Sequence, residues 1–283
     1  MRVSGRKYAG VAVAAGGLAL ALSSPVRADA LSDFGANLSS MGDLAFGNLR
    51  HVTVGLGPRY SPDYPGSDDY KIRPHLSLNV RFGNRFSANT EGLEYALFGI
   101  QRISFGPLLH LSGRRGPHAS PDLEGLGRVK RSPELGVFAK AVWPGQLSLR
   151  LSASQGIARG HEGTLVTLEG SAQVFRSAGE SVTGYLGAST TWSSAPYART
   201  FFGINREQSA NSGIPAYDPG SSMRDVSVSA TLRWVLSGDW TVNGTAEYSR
   251  LLDDVAGSPI VKDYGSADQV SVGIILTRTF RLK

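Results

Sequence analysis

An acidic segment near residue 65 is the first part of the sequence that suggests chemistry. Asp63, Asp68 and Asp69 place three carboxylates within seven residues, interspersed with Pro and Gly. Carboxylate oxygens are ligands that Ca²⁺ prefers, but Pro, Gly and Asp are also the residues that build turns. The spacing does not match an EF-hand, so we expect a turn in an external loop and predict no metal site.

Catalytic motifs are absent from the sequence. The five histidines form no H-E-x-x-H pair, and there is no G-x-S-x-G nucleophile elbow. The acid–base pairing that the sequence offers joins His161 to Asp68-Asp69 or to Asp253-Asp254, at the rim of the external loops. The chain contains no cysteine, which excludes disulfides, a Cys-ligated zinc and a thiol nucleophile. We therefore predict a protein that is not an enzyme and has no cofactor.

A long loop at 194–222 carries four aromatic side chains that could bind a partner, namely Tyr197, Phe201, Phe202 and Tyr217. Such a loop can meet another protein, fold into a lumen as a constriction, or pack against the rim of the domain. Three further candidates, Asp63, Asp68 and Asp69, belong to the acidic loop described above.

Charged residues on the polar faces of the strands are candidates for a lumen site. Arg81, Arg150 and Arg233 are inward candidates, as are Glu169 and Glu247, and Lys140 adds one more cation. This set predicts a narrow lumen that weakly repels cations, unless a loop plugs it. The alternative is that the opposite charges pair across the lumen and have a structural role only.

The segment Val270–Phe280 indicates which elements position these residues. Val270, Val272, Ile274, Leu276 and Phe280 fall on one face of a strand, and Gln269, Ser271, Gly273, Thr277 and Thr279 fall on the other. Side chains alternate faces along a strand, so one face is apolar and the other polar. This is typical of the closing strand of an outer-membrane β-barrel, which we expect the barrel-insertion machinery to recognise.

Similar alternating runs of about ten residues recur from residue 50 onward, separated by short turns and long loops in turn. They predict an all-β, antiparallel, up-and-down transmembrane barrel over 49–283, with both termini in the periplasm. A hairpin at Thr90-Glu91-Gly92 keeps the long connections at one end and gives twelve strands; ten is the alternative count. A soluble β-sandwich also alternates, but it does not account for the terminal aromatic or for Trp near strand ends.

The N-terminus has the layout of a secretory signal peptide. Three basic residues precede the uncharged apolar run Ala9–Leu22, and small-residue sites allow cleavage after Ala28 or Ala30. We therefore predict a signal peptide at 1–28, a mobile periplasmic segment at 29–48, and a place in the Gram-negative outer membrane among its lipids and lipopolysaccharide. Four of the 29 Lys and Arg residues precede Asp29, so the remainder carries 25 basic and 23 acidic residues. A charge of +2 gives no reason to expect nucleic-acid binding.

Several motifs make a family resemblance specific. They are Gly55–Gly57, Arg59–Tyr70, Arg73-Pro74, Leu123–Gly127, Tyr197–Ile204, Ser212–Tyr217, Tyr248–Leu251 and Ser258–Val261. Over about residues 50–280 the chain resembles the MltA-interacting protein / outer-membrane protein V (MipA/OmpV) family. The resemblance implies a scaffold that joins a murein lytic transglycosylase to a murein synthase. A narrow passive pore for small polar solutes and a surface adhesin acting through its external loops stay open as alternatives.

Overall fold

The computed structural model describes residues 49–83, 85–115, 123–158 and 160–281. The predicted signal peptide and the 29–48 segment lie outside these residues. Thirteen strands are described: β1 Leu49–Pro62, β2 Tyr70–Phe82, β3 Phe86–Asn89, β4 Gly92–Tyr95, β5 Phe98–Ile100, β6 Ile103–Leu111, β7 Pro133–Trp143, β8 Leu147–Gly156, β9 Thr164–Arg176, β10 Val182–Ser193, β11 Ser222–Ser237, β12 Trp240–Leu251 and β13 Asp268–Arg281.

The strands form one closed antiparallel ring. β1 pairs with β2 on one side and with β13 on the other, from His51 opposite Arg281 to Tyr60 opposite Val272. β4 and β5 both pair with β6, so they form one strand interrupted at Ala96-Leu97. The wall therefore contains twelve strands, as predicted, and β3 and β4 form the short hairpin expected at Thr90-Glu91-Gly92.

The two faces of the wall have the polarity that the alternation predicts. Large apolar side chains stand exposed on the outer face, with Leu56 at 60%, Leu186 at 52% and Ile274 at 57% exposure. Hydroxyl side chains line the inner face and bond across strands. Examples of these pairs are Ser148–Ser171 at 2.8 Å, Ser189–Ser227 at 2.8 Å and Thr167–Thr191 at 3.2 Å.

Because successive strands run in opposite directions, the short turns collect at one end and the long loops at the other. The short turns at one end follow β2, β5, β7, β9 and β11. The turn after β3 points toward the long-loop end and closes the short hairpin partway up the wall. The turn predicted at Gly83-Asn84 lies partly outside the described residues. The long connections occupy 63–69, 112–132, 157–163, 194–221 and 252–267.

The described parts of the long loops carry four α-helices: α1 Ala195–Phe202, α2 Arg206–Ser212, α3 Asp253–Ala256 and α4 Pro259–Lys262. Pro lies in the first turn of α1 and of α4, where its missing N–H costs no helical hydrogen bond. Asn205 and Gln208 form a reciprocal capping box that begins α2. None of the helices in the described ranges has the length and hydropathy that a membrane-crossing helix requires.

These loops pack together into a single structure, which we call the cap. Its hydrophobic core comprises Tyr64, Leu123, Leu126, Val129, Tyr197, Ala198, Phe201, Phe202, Ile204, Ile214, Leu251, Val255, Ile260 and Val261. Gly125 shows why a glycine stands in the Leu123–Gly127 motif. Its φ is +89°, and a Cβ there would lie 2.8 Å from the carbonyl carbon of Asn211 in α2.

Hydrogen bonds join cap loops that belong to distant strands. Arg115, after β6, donates from Nη1 to the carbonyl of Phe201 in α1 at 2.5 Å. The buried amide of Gln269 donates from Nε2 to the carbonyl of Ser67 at 2.9 Å and accepts from the N–H of Gly66 at 3.0 Å. Since β6 and β10 lie apart in the ring, contacts between their loops cross the mouth of the barrel.

The assignment of faces is testable at two adjacent residues of β11. Ala230 is exposed on the outer face, midway between the levels of Tyr248 and Trp234, whereas the hydroxyl of Thr231 lies in the interior, 3.4 Å from that of Thr245. We expect Ala230→Arg to lower the free energy of unfolding in lipid vesicles by about 2–4 kcal/mol, because a cation on the lipid face near the middle of the membrane is costly. Thr231→Arg should cost clearly less, because its guanidinium would enter a polar lumen. Equal losses in denaturant titrations of the two variants would contradict the assignment.

Candidate functional site

The upper part of the lumen, beneath the cap, contains a cavity of about 620 Å³. Its lining comes from inner-face residues of β4, β6 to β12 and from the β3–β4 hairpin. Hydroxyl groups and carboxylates dominate this lining. The cavity has room for a small polar molecule.

Arg150 is the central cation of the cavity. Its Nη1 donates to Glu169 Oε2 at 2.7 Å and its Nη2 donates to Glu94 Oε1 at 2.7 Å. The guanidinium also lies 5.8 Å from the centre of the Phe138 ring. One arginine on β8 thus forms ion pairs with carboxylates of β4 and β9. The alternative stated above, that opposite charges pair across the lumen, therefore applies to Arg150 and Glu169.

The charge of the cavity differs from the sequence expectation. Its lining includes six carboxylates, from Glu91, Glu94, Glu134, Glu169, Asp225 and Glu247, but only two guanidinium groups, from Arg150 and Arg224. The prediction of a lumen that repels cations is therefore wrong for this cavity. Arg81, Lys140 and Arg233 lie lower on their strands and are not part of its lining.

A buried polar cluster lies where the cavity meets the cap. His161 Nε2 lies 2.9 Å from Glu134 Oε1, and Ser154 donates its hydroxyl to Glu134 Oε2 at 2.7 Å. The N–H of Gly163 donates to His161 Nδ1 at 3.2 Å, which leaves the Nε2 proton to point at the carboxylate. The imidazole is fully buried and Glu134 is 2% exposed, so neither side chain is in contact with water.

This cluster is not a catalytic triad. The Ser154 hydroxyl bonds the carboxylate and not the imidazole, so the serine–imidazole hydrogen bond of a triad is missing. The pairing of His161 with an aspartate pair at the rim is also wrong, since its partner is Glu134 of β7. Sequence reasoning missed Glu134. The signal that could have found it is that Glu134 directly precedes the outward-facing Leu135, so alternation places its side chain on the inner face of the strand.

A second polar group links the cap to the wall. Arg224 donates from Nη1 to the Tyr197 hydroxyl at 3.1 Å, lies 5.7 Å from the centre of that ring, and pairs with the Asp225 carboxylate. Burial raises the pKa of Tyr197, so the phenol stays protonated and can also donate. Its ring meets the His161 imidazole edge-on at 5.0 Å, which brings the two polar groups together.

The aromatic loop candidates belong to the core of the cap. Tyr197, Phe201 and Phe202 are all 7% exposed or less. Tyr217 is partly buried and donates its hydroxyl to the carbonyl of Asp254 at 2.8 Å. The aromatic residues of this loop therefore pack among the loops at the rim of the barrel, and of the four only Tyr217 keeps part of its ring exposed.

The acidic loop candidates are separated by the fold. Asp63 pairs with Lys71 and Arg73 of β2, while Asp68 and Asp69 are exposed. Within the described ranges, no group of three or more His, Asp or Glu residues is arranged to hold a metal ion.

The sequence is similar to one known protein family over most of its length. The sequence model of the family described as "MltA-interacting protein MipA" matches residues 54–280. The MltA-interacting proteins of Escherichia coli (strain K12) and of Shigella flexneri are each 37% identical to the chain over 89 residues. Those residues are 31% of this chain and 35% of each relative, so the match spans about a third of their length.

Two solved structures illustrate the range of structural neighbours. A NanC porin covers 80% of this chain and 98% of its own, with 12% identity and a TM-score of 0.47. An outer-membrane channel from Pseudomonas putida F1 covers 83% of this chain and 97% of its own, with 11% identity and a TM-score of 0.44.

The buried His161–Glu134 pair leads to a stability prediction. His161→Leu leaves the Glu134 carboxylate buried beside a hydroxyl alone, and we expect the free energy of unfolding to fall by about 3–5 kcal/mol. The double variant Glu134→Leu/His161→Leu also removes the buried carboxylate and should recover part of that loss. Denaturant unfolding followed by Trp fluorescence measures both variants. A double variant no more stable than His161→Leu would show that the buried charge is not the cause.

Proposed function

The chain belongs to the MltA-interacting protein MipA family, and from that membership we propose that it is an outer-membrane scaffold for murein enzymes. In this proposal it holds a lytic transglycosylase, and with it a murein synthase, at the periplasmic face of the membrane. The family match over 54–280 is the observation that carries the proposal.

The outer surface of the barrel supports a place in the membrane. Its exposed apolar side chains lie between two sets of aromatic residues. Tyr60, Tyr70 and Tyr248 lie near the long-loop end, and Trp143, Trp234, Trp240 and Phe280 lie near the short-turn end. Aromatic residues occupy both membrane–water interfaces of transmembrane barrels. Long loops are external in such barrels, so in this proposal the short turns face the periplasm.

The short-turn end supports docking in the periplasm. Its cations are Arg81, Arg85, Arg102, Lys140, Arg176, Arg233, Arg278 and Arg281, whereas its acids in the described chain are Glu180 and Asp239. Such an excess of one sign attracts a partner of opposite sign and raises the rate of association. We assign the enzyme-binding surface to this end, opposite the cap.

Recovery of partners from native membranes tests the scaffold. The tagged full-length protein should recover a murein lytic transglycosylase, and Arg85→Glu/Arg102→Glu/Arg176→Glu should lower that recovery about tenfold because three attractions become repulsions. Arg206→Glu, an exposed change in the cap, is the matched control and should leave recovery unchanged. Failure of the unaltered protein to recover a murein enzyme would refute the scaffold. Unchanged recovery by the triple variant would refute the assigned surface.

The cavity of about 620 Å³ favours a second candidate, a narrow passive pore for small polar solutes. The cap weighs against it, because loops from distant strands meet across one mouth. The adhesin alternative rests on the length of the external loop 194–222 and gains no support from its aromatic residues, since Tyr197, Phe201 and Phe202 are buried. We expect no steady conductance from the intact protein in planar bilayers, because solute would have to cross the packed cap. Steady single-channel currents that survive in purified protein would favour the pore.

A further inference from the structure

The wall of the barrel is incomplete between β2 and β6. β3 pairs with β2 only from Asn79 to Phe82, and β3 and β4 have four residues each, whereas the other full wall strands have nine or more. Among the described residues, no strand pairs with Tyr70–Leu78 on the side away from β1. The hairpin therefore leaves a gap two strands wide above its tip, about 10 Å at the usual strand spacing. We call this gap the notch.

The floor of the notch is a defined structure. The side-chain carbonyl of Asn89 accepts hydrogen bonds from the N–H groups of Glu91 at 2.8 Å and of Gly92 at 2.9 Å. The N–H of Leu111 donates to the carbonyl of Glu91 at 2.8 Å. A Cβ on Gly92 would lie 2.1 Å from the Leu109 carbonyl oxygen, so glycine allows β4 to approach β6 here. These contacts fix the height at which the hairpin ends.

The internal cavity reaches the floor of the notch. Its lining includes Asn89, Glu91 and Gly92 at the tip of the hairpin, together with Glu94 of β4 and His110 of β6. Glu94 points inward to Arg150. The tip of the hairpin therefore separates the cavity from the gap above it.

We propose that the notch is a lateral entrance through which a membrane lipid with an ammonium headgroup, such as phosphatidylethanolamine, places that headgroup in the cavity. The acyl chains remain on the outer face, beside Ile72 and Leu76 of β2, which are 73% and 41% exposed. Lipid surrounds a transmembrane barrel on this side. A backbone edge without partners is costly in hydrocarbon, and a polar headgroup supplies hydrogen bonds to it.

The charge of the cavity selects the headgroup. Glu94, Glu169, Glu134 and Asp225 already have cationic or hydrogen-bonding partners. Glu91 and Glu247 have no basic partner within the described residues, and both line the cavity. They are the carboxylates available to an ammonium group. An anionic headgroup would instead meet an excess of negative charge, so phosphatidylglycerol should be excluded. This inference does not depend on the murein-scaffold proposal.

Photo-crosslinking from inside the lumen tests the entrance. Ser152 and Ser148 both face inward on β8, but only Ser152 lines the cavity. The full-length protein carries a benzoylphenylalanine at one position or the other, in vesicles of equal parts phosphatidylethanolamine and phosphatidylglycerol. The probe at residue 152 should capture phosphatidylethanolamine, identified by the mass of the adduct, and the probe at 148 should capture little lipid. Absence of lipid at 152, or equal capture of the two lipids there, would overturn the proposal.

The carboxylates are tested in the background of the probe at residue 152. Glu91→Gln/Glu247→Gln should lower capture of phosphatidylethanolamine about tenfold, since two charged partners of the ammonium are lost. Glu180→Gln, an exposed change at the short-turn end, is the control and should leave capture unaltered. The heat-dependent shift in electrophoretic mobility shows that each variant still forms the barrel. Undiminished capture by a folded double variant would contradict the assigned site.

Discussion

Closure of the backbone hydrogen-bond ladder is the constraint on which the rest of the structure depends. A sheet surrounded by hydrocarbon must pair its peptide groups within itself, because no water is available to do so, and the described wall does this everywhere except along β2 at the notch. Two junctions show how closely the strands must approach to achieve this. A Cβ on Gly57 would lie 1.9 Å from the Ile274 carbonyl oxygen where β1 meets β13, and one on Gly106 would lie 1.8 Å from the Tyr95 carbonyl oxygen beside the interruption between β4 and β5. Both positions exclude any side chain.

Closure divides the molecule into regions that use the same residue types in opposite ways. On the wall, leucine and valine are exposed and the hydroxyl groups are inside, where they bond to one another or to charged groups such as Arg150. In the cap the usual arrangement of a water-soluble domain returns, with Phe202 and Ile260 fully buried and Asp218 exposed. The Glu134–His161 pair lies at the boundary between these regions, where a side chain is shielded from both water and lipid.

The wall was predictable from sequence, because strand periodicity is local and turn residues divide the chain into spans of similar length. Even the short hairpin at Thr90-Glu91-Gly92 was predictable, because without it the long connections would not all lie at the same end of the barrel. The cap and the cavity were not predictable in the same way. His161 meets Glu134 through packing of a loop that has no period, and Gly156 permits that approach, since a Cβ there would lie 2.2 Å from the His161 carbonyl oxygen. The sign of the cavity charge was wrong because Glu91, Glu94 and Asp225 occupy a short hairpin and a strand end, where alternation is hardest to read.

The pairing of β1 with β13 makes order along the chain almost irrelevant to the finished wall. Residues 51 and 281 are neighbours in space, although nearly the whole described sequence separates them. Contacts between residues so far apart in sequence form slowly. Until β1 and β13 pair, the folding intermediate exposes two unpaired sheet edges, which can aggregate with other molecules. The same adjacency means that the ring has no privileged starting strand. A circular permutant that joins β13 to β1 and opens at the Ser237–Trp240 turn would contain every ladder described above. It would differ only in that β11 and β12, and not β1 and β13, would be the terminal strands that pair to close the ring.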